Sequence, residues 1–266
     1  MRISPLLCLL SALAVSAAAP LPAPSPYLEE LTWPEVAARM TTGSQTIIIP
    51  TGGTEQNGPH IALGKHNWIV TATAGEIARQ LGNALVAPTL AYVPEGSITP
   101  PQGHMRFPGT ISISDATFMA LLEDAARSFK QHGFKFICLL GDSGGNQEPQ
   151  AQLAAKLNKE WAADGVRVLQ VSDYYDGQEA QAWAAREKLG GAEPEAHAGF
   201  MDAAEVMAAH PDGVRREAIE AYNPADSATT GVVGDPTGAT AKHGEKLLAF
   251  KIAAAVKQIR AVQGAK

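Results

Sequence analysis

Two short, largely apolar runs constrain the fold most, because each is followed at once by a loop rich in glycine and polar residues. Residues 46–50 and 134–140 form these runs, and β-branched or bulky apolar side chains dominate both, with Thr46 and Lys135 as the polar exceptions. Such runs are typical of strands that are buried on both faces of a parallel sheet. The segments between them have helical spacing, which favours βαβ units and an α/β fold.

Apolar runs and helical spacing predict the remaining elements as well. Strands are predicted over residues 84–88 and 166–171, with residues 90–93 as a further strand or an extension, and helices over 68–81, 118–132, 147–164 and 240–262. No internal repeat or interior linker is visible, and 266 residues suffice for one large domain. The sequence therefore predicts a single α/β domain over residues 30–266.

The first residues resemble a cleaved secretory signal. Arg2 precedes a short apolar run over residues 6–15, small residues reach Ala19, and a proline-rich spacer covers residues 20–29. We expect a signal peptide over residues 1–19, and hence a periplasmic or secreted protein with no membrane contact in its mature form. A disordered or membrane-anchoring segment is the alternative. Cys138 then stays as the one cysteine, which favours a buried, inert thiol.

The net charge of the chain limits which kinds of binding partner are expected. The formal net charge is −6 and no long basic run occurs, so a nucleic-acid surface is not expected.

Ligands in α/β sheets bind beyond the carboxyl ends of the strands, which points to the loops after the two apolar runs. The first loop carries Glu55, Asn57, His60 and His66. Carboxylate oxygens and imidazole nitrogens are the usual ligands of zinc and manganese, so this loop is a candidate metal site. A surface turn with chance histidines is the alternative.

The second loop contains Asp142 and Ser143 and precedes a helix. It lacks the phosphate-loop and dinucleotide patterns, so nucleotide binding has little support. Ser143 does not lie in a G-x-S-x-G elbow, yet a nucleophilic role for it stays open. Two further segments carry His104 and the pair His197 and Asp202.

Five segments together resemble the creatininase family, in family order. They are Gly53-Thr54-Glu55-Gln56-Asn57-Gly58-Pro59-His60 with Leu63-Gly64, the run from His104 to Ser112, Gly141-Asp142-Ser143-Gly144-Gly145-Asn146, the run from His197 to Asp202, and the run from Gly231 to Pro236. The resemblance covers nearly all of the chain after the predicted signal. It implies a three-layer α/β/α sandwich with a mostly parallel central sheet.

The resemblance also implies an activity: metal-dependent hydrolysis of an amide or cyclic amide C–N bond in a small-molecule substrate. Family members use two divalent ions to activate a water, a histidine assists proton transfer, and the chains often form homo-oligomers. His60, His104 and His197 match family histidines, so they are the candidate catalytic residues.

The ligand positions match the family unevenly. Glu55 keeps the first ligand and Asp202 replaces a glutamate, whereas Asn57, His66 and Ser143 stand where a histidine, a bridging aspartate and a histidine are expected. We therefore predict a rebuilt site in which Glu55, His66 and Asp202 hold zinc or manganese, as one ion or as two, with Asp142 as a further carboxylate. A non-catalytic binding protein on the same fold is the alternative.

Overall fold

A computed structural model describes residues 25–190 and 197–264. The predicted signal peptide lies outside these residues and stays a prediction. The strands are β1 (Thr46–Thr51), β2 (Ala84–Val86), β3 (Phe136–Gly141) and β4 (Arg167–Gln170). The helices are α1 (Trp33–Thr41), α2 (Lys65–Leu81), α3 (Asp115–Gln131), α4 (Gln147–Glu160), α5 (Ser172–Asp176), α6 (Gln178–Arg186), α7 (Phe200–Ala209), α8 (Ser227–Thr230) and α9 (Ala241–Gly264). None of these helices combines the length and hydropathy needed to cross a bilayer.

The four strands form one parallel sheet in the order β2-β1-β3-β4. In its register Ile48 lies opposite Val86 on one side and Cys138 on the other. The strand predicted over residues 90–93 is wrong. Leu90 makes an isolated bridge to Thr51, and the chain then leaves the sheet towards Pro94.

Helices cover both faces of the sheet, because successive strand residues point to opposite sides. Ile47 and Ile49 pack with Phe118 and Leu122 of α3 and with side chains of α4. On the other face Ile48 packs against α2 and α9. The predicted three-layer sandwich is confirmed. The Cys138 side chain is buried on this same face, where burial raises the pKa of its thiol to about 12, as expected of an inert core cysteine.

Two differences from the predicted elements shape the site. Helix α2 begins at Lys65 rather than at residue 68, so Lys65 and His66 lie in its first turn at the carboxyl edge of the sheet. Helix α7 was not predicted, because its sequence shows no apolar periodicity. It places Asp202 beside the same edge and packs closely against α9. At Gly244 of α9 an added Cβ would lie 1.9 Å from the carbonyl oxygen of Ala204.

Candidate active site

The loops after β1 and β3 meet at one edge of the sheet, as predicted, because these strands are parallel neighbours. The Asn146 amide joins them by donating to Thr51 O at 3.1 Å and to Gly52 O at 2.9 Å. A cavity of about 630 Å³ opens above this junction. Its lining includes seven of the sequence-predicted residues: Glu55, His66, His104, Asp142, Ser143, His197 and Asp202. Four charged residues that the sequence did not point to also line it: Lys65, Glu95, Glu205 and Lys251.

Glu55 is the centre of the site. Its side chain is 2% exposed, and four donors or rings approach its two oxygens: Lys65 Nζ at 3.3 Å, His66 Nε2 at 2.8 Å, His104 Nε2 at 3.2 Å and His197 Nδ1 at 3.8 Å. Burial alone would raise the pKa of Glu55. The charges of Lys65 and His66 outweigh this effect and hold the pKa well below its ordinary value, so the carboxylate is ionised.

Lys65 is a buried ammonium group shared by two carboxylates. Its Nζ lies 2.8 Å from Asp202 Oδ2 and 3.3 Å from Glu55 Oε1, and the residue is 1% exposed. Burial opposes the charged form, but Asp202 and Glu55 outweigh it and raise the pKa of Lys65 above its usual range. In return, Lys65 overcomes the effect of burial on Asp202 and lowers the pKa of that carboxyl to about 2. Asp202 is thus an ion-pair partner in this structure.

His66 bridges two carboxylates with both ring nitrogens. Its Nε2 contacts Glu55 Oε1 at 2.8 Å and its Nδ1 contacts Asp142 Oδ2 at 2.7 Å. Burial and Lys65 lower its pKa, but the two carboxylates prevail and raise it to about 9. The ring is therefore an imidazolium at neutral pH and donates from both nitrogens. To act as the predicted metal ligand, His66 would have to lose a proton and release a carboxylate.

Lys251 of α9 provides a second buried ammonium group. Lys251 Nζ lies 2.7 Å from Asp142 Oδ1 and 3.0 Å from Glu205 Oε2 of α7. Tyr174 donates to the same Asp142 oxygen at 2.8 Å. Asp142 is therefore enclosed by Lys251, Tyr174 and His66. Burial alone would raise the pKa of Asp142, but Lys251 and His66 outweigh it and hold this pKa far below the ordinary value. The carboxylate predicted as an additional ligand is fully used by side-chain donors.

His104 and His197 are two neighbouring histidines that line the cavity. Their ring centroids are 4.4 Å apart, and burial lowers both pKa values, that of His197 to about 4, so both rings are neutral at pH 7. His197 Nε2 donates to Gln56 O at 2.8 Å, which leaves the lone pair of Nδ1 facing Glu55. The Gln56 amide nitrogen lies 3.0 Å from His104 Nδ1. Glu55, His104 and His197 form the one group of metal-ligating atoms found among the described residues, within 4.8 Å of one another.

Glu95 was not among the sequence-predicted residues. It is 5% exposed and accepts from the Ser143 hydroxyl at 3.1 Å. Burial first, and then the charge of Glu55, raise the pKa of Glu95 to about 8. An added Cβ at Gly53 would lie 2.1 Å from Glu95 Oε1, so this close approach requires a glycine. Ser143 is thus held by a carboxyl group rather than by a histidine base.

Two sequence-predicted residues do not line the cavity as the structure describes it. His60 is 1% exposed, and its Nε2 donates to Ala198 O at 2.9 Å. Asn57 is fully buried, and its amide donates to the backbone oxygen of Glu55 at 3.0 Å. Both side chains hold the backbone that carries the site. His60 therefore acts on the segment around His197 and does not face the cavity.

The fold and site together define an α/β/α protein with a polar site at the carboxyl edge of a parallel sheet. The sequence model of the creatininase family, described as creatinine amidohydrolase, matches residues 29–259. The chain therefore belongs to the creatininase family, and the predictions of this family, of its fold and of a hydrolase are confirmed.

Individual relatives agree with this assignment. A mycofactocin precursor peptide peptidase of Mycolicibacterium smegmatis is 29% identical over 80% of this chain and 84% of its own length. A creatinine amidohydrolase of Pseudomonas putida is 33% identical over 44% of each chain. The solved structure titled "Creatininase Mn" is 25% identical, with a TM-score of 0.75 over 91% of this chain and 100% of its own.

The residues of this chain do not fit the metal pair that the family implies. Two of the altered positions are used elsewhere: Asn57 bonds to backbone, and Ser143 bonds to Glu95. A third, His66, is an imidazolium, and the Lys65 ammonium already contacts the two acidic ligands that remain. The donor types of Glu55, His104 and His197 do fit a single ion, because one carboxylate and two imidazoles form a known zinc set.

Proposed function

We propose that this hydrolase cleaves an amide C–N bond in a small peptide-like substrate and holds one zinc or manganese ion with Glu55, His104 and His197. The substrate class is supported by the peptidase relatives, whose likeness extends over about four fifths of the chain. The cavity of about 630 Å³ falls within the range of ordinary small-ligand sites. The triad is the observation that carries the proposal, because its three ligand atoms converge on this cavity.

When bound, the ion would supply Lewis acidity and lower the pKa of a water molecule towards ~7. His197 is oriented for that role, since the carbonyl oxygen of Gln56 fixes its ring and leaves Nδ1 as the lone-pair nitrogen. His104 also needs its lone pair on Nε2. The Gln56 amide nitrogen faces His104 Nδ1, and its contacts with Gly231 O and Gly58 N fix this orientation. Ligation through Nε2 therefore requires the proton of His104 to move to Nδ1, with loss of the hydrogen bond from Gln56.

Other residues of the site bind and orient rather than ligate. The ammonium group of Lys65 and the imidazolium of His66 keep Glu55 ionised and fixed in position. Glu95 carries its proton up to a pH of about 8 and therefore can donate it or accept from a substrate amide. Lys65, His66 and Glu95 all line the cavity, so a substrate carbonyl or leaving nitrogen would meet fixed positive charge and a protonated carboxyl group.

The test combines metal content with turnover. Purified full-length protein is expected to retain about one zinc or manganese ion per chain and to release amine from short peptide amides, with loss of both after Glu55→Gln. Glu148→Gln, on the exposed side of α4, is the matched control and is expected to change neither. Turnover that persists after complete removal of the ion would refute the metal part of the proposal.

The same assay separates the second candidate, a binding protein without catalysis. Its specific support is the set of altered ligand positions and the buried ion pairs that Lys65 and His66 form with Glu55. Saturable binding of a peptide with no amine release, whatever ion is supplied, would favour that function over hydrolysis.

We further propose that the protein is exported and acts as a homo-oligomer. The apolar run over residues 6–15 and the small residues that follow support export. Cell fractionation with determination of the mature N-terminus tests the first statement, and light scattering of the purified protein tests the second. A cytoplasmic, uncleaved chain or a monomer would contradict them respectively.

A further inference from the structure

The family resemblance assigns no role to Lys65. Its side chain is nevertheless one of the most deeply buried charged side chains among the described residues. It immediately precedes His66, the position where the family's bridging aspartate is expected. Because α2 begins at Lys65, its side chain starts at the carboxyl edge of the sheet and reaches into the cavity. The position of the first residue of α2 therefore determines where the ammonium group lies.

The contacts of the ammonium group are those that a metal ion would make. Its nitrogen lies between Glu55 Oε1 at 3.3 Å and Asp202 Oδ2 at 2.8 Å. These two side chains occupy acidic ligand positions of the family pattern. Asp202 is also held by the amide of Ala198 at 2.7 Å, so both carboxylates are fixed around the same cation. An ion at this place would need the same oxygens.

Buried carboxylates need a counter-charge, because an unpaired ionised group in the interior is strongly unfavourable. In a metal enzyme that counter-charge comes from the ions. Here Lys65 supplies it through a covalent tether, without any dependence on the ion supply. A second cation close to the same oxygens would be repelled, since like charges at short range in a protein interior interact strongly.

We propose that the Lys65 ammonium group replaces one ion of a metal pair, and that removing its charge creates a divalent-cation site between Glu55 and Asp202. The inference goes beyond the proposed catalysis, because it concerns how many ions the site accepts. The remaining imidazolium of His66 contacts the Glu55 oxygen but not Asp202 in the described contacts, so the Asp202 side of the site would become free for a ligand.

The experiment counts ions in the intact chain. Wild type, Lys65→Met, Lys65→Gln and Lys65→Arg are dialysed against Mn²⁺ or Zn²⁺, and bound metal and thermal unfolding are measured. The two neutral variants are expected to hold about one more ion per chain than wild type and to gain stability from added ion. Lys65→Arg keeps the positive charge and is expected to match wild type. Lys156→Met, which removes a surface ammonium 2.5 Å from Glu123, is the control for unspecific gain.

Loss of a buried charge can prevent folding, so Lys65→Met is also refolded with ion or with chelator. Recovery only in the presence of the ion supports the proposal. Two ions in wild type would overturn it, as would neutral variants that gain no ion either when folded or on refolding. The proposed single-ion function is judged separately, by the wild-type count: a wild type with none and a Lys65→Met variant with one would refute that function and leave this inference standing.

Discussion

Replacing Glu95 by glutamine should change the pH dependence of stability. Glu95 is buried beside Glu55. Burial and, to a smaller extent, the negative charge of Glu55 raise the pKa of Glu95 from 4.5 to about 8 in the folded chain. In the unfolded chain neither effect acts, so the pKa returns to its ordinary range. The folded protein therefore binds the Glu95 proton more tightly than the unfolded chain does.

The sign and size follow from linkage. A group whose folded pKa is raised stabilises the protein fully below its unfolded pKa, and this contribution is lost as pH rises through the folded pKa. At 1.36 kcal/mol per pH unit, the interval between 4.5 and about 8 corresponds to at most about 5 kcal/mol. Wild type is thus expected to lose stability between these pH values on account of this group, whereas Glu95→Gln cannot ionise and avoids the loss.

Urea unfolding at about pH 5, pH 7 and pH 9 measures the effect. The stability of Glu95→Gln relative to wild type should rise steadily over this range, by several kcal/mol in total. Glu148→Gln, on the exposed surface of α4, should show no such trend. A constant difference between Glu95→Gln and wild type across the three pH values would refute the assignment of a protonated carboxyl group.

Two further predictions concern the packing that supports the site. Gly244→Ala should destabilise the protein by about 1–3 kcal/mol, because the new methyl group would meet the carbonyl of Ala204, whereas Gly264→Ala, near the C-terminal end of the same helix with open space around it, should be neutral or slightly stabilising in thermal unfolding. Lys251→Met should cost about 3–5 kcal/mol in chemical denaturation, since it leaves buried carboxylates without their cation, and the exposed Lys257→Met should cost less than about 0.5 kcal/mol.

The sheet could be predicted because its signal is local. Residues 47–49 and 136–140 are apolar throughout, and such short runs are typical of strands buried on both faces of a parallel sheet. Helix α7 could not be found in this way. It is apolar on nearly all sides because α9 and the core enclose it, so its sequence lacks the alternation of an amphipathic helix.

Part of the site could be predicted because its residues lie in local sequence motifs. Motif positions identified Glu55, His104 and His197, which do converge on the cavity. Lys251 and Glu95 were missed because their roles depend on tertiary contacts, and a lysine on a helix normally faces solvent. A local signal for Lys65 did exist, since a charged residue stands immediately beside a predicted ligand position.

The altered ligand positions become coherent when the charges of the site are compared with those of a metal pair. An aspartate carries −1, whereas the His66 imidazolium in its place carries +1, held by Glu55 and Asp142 through both nitrogens. This exchange adds the same charge as one divalent ion. Lys65 adds a further positive charge at the next residue. A chain that lost the bridging aspartate alone would leave buried acids unpaired, whereas these two neighbouring changes keep Glu55 and Asp202 ionised without a second ion.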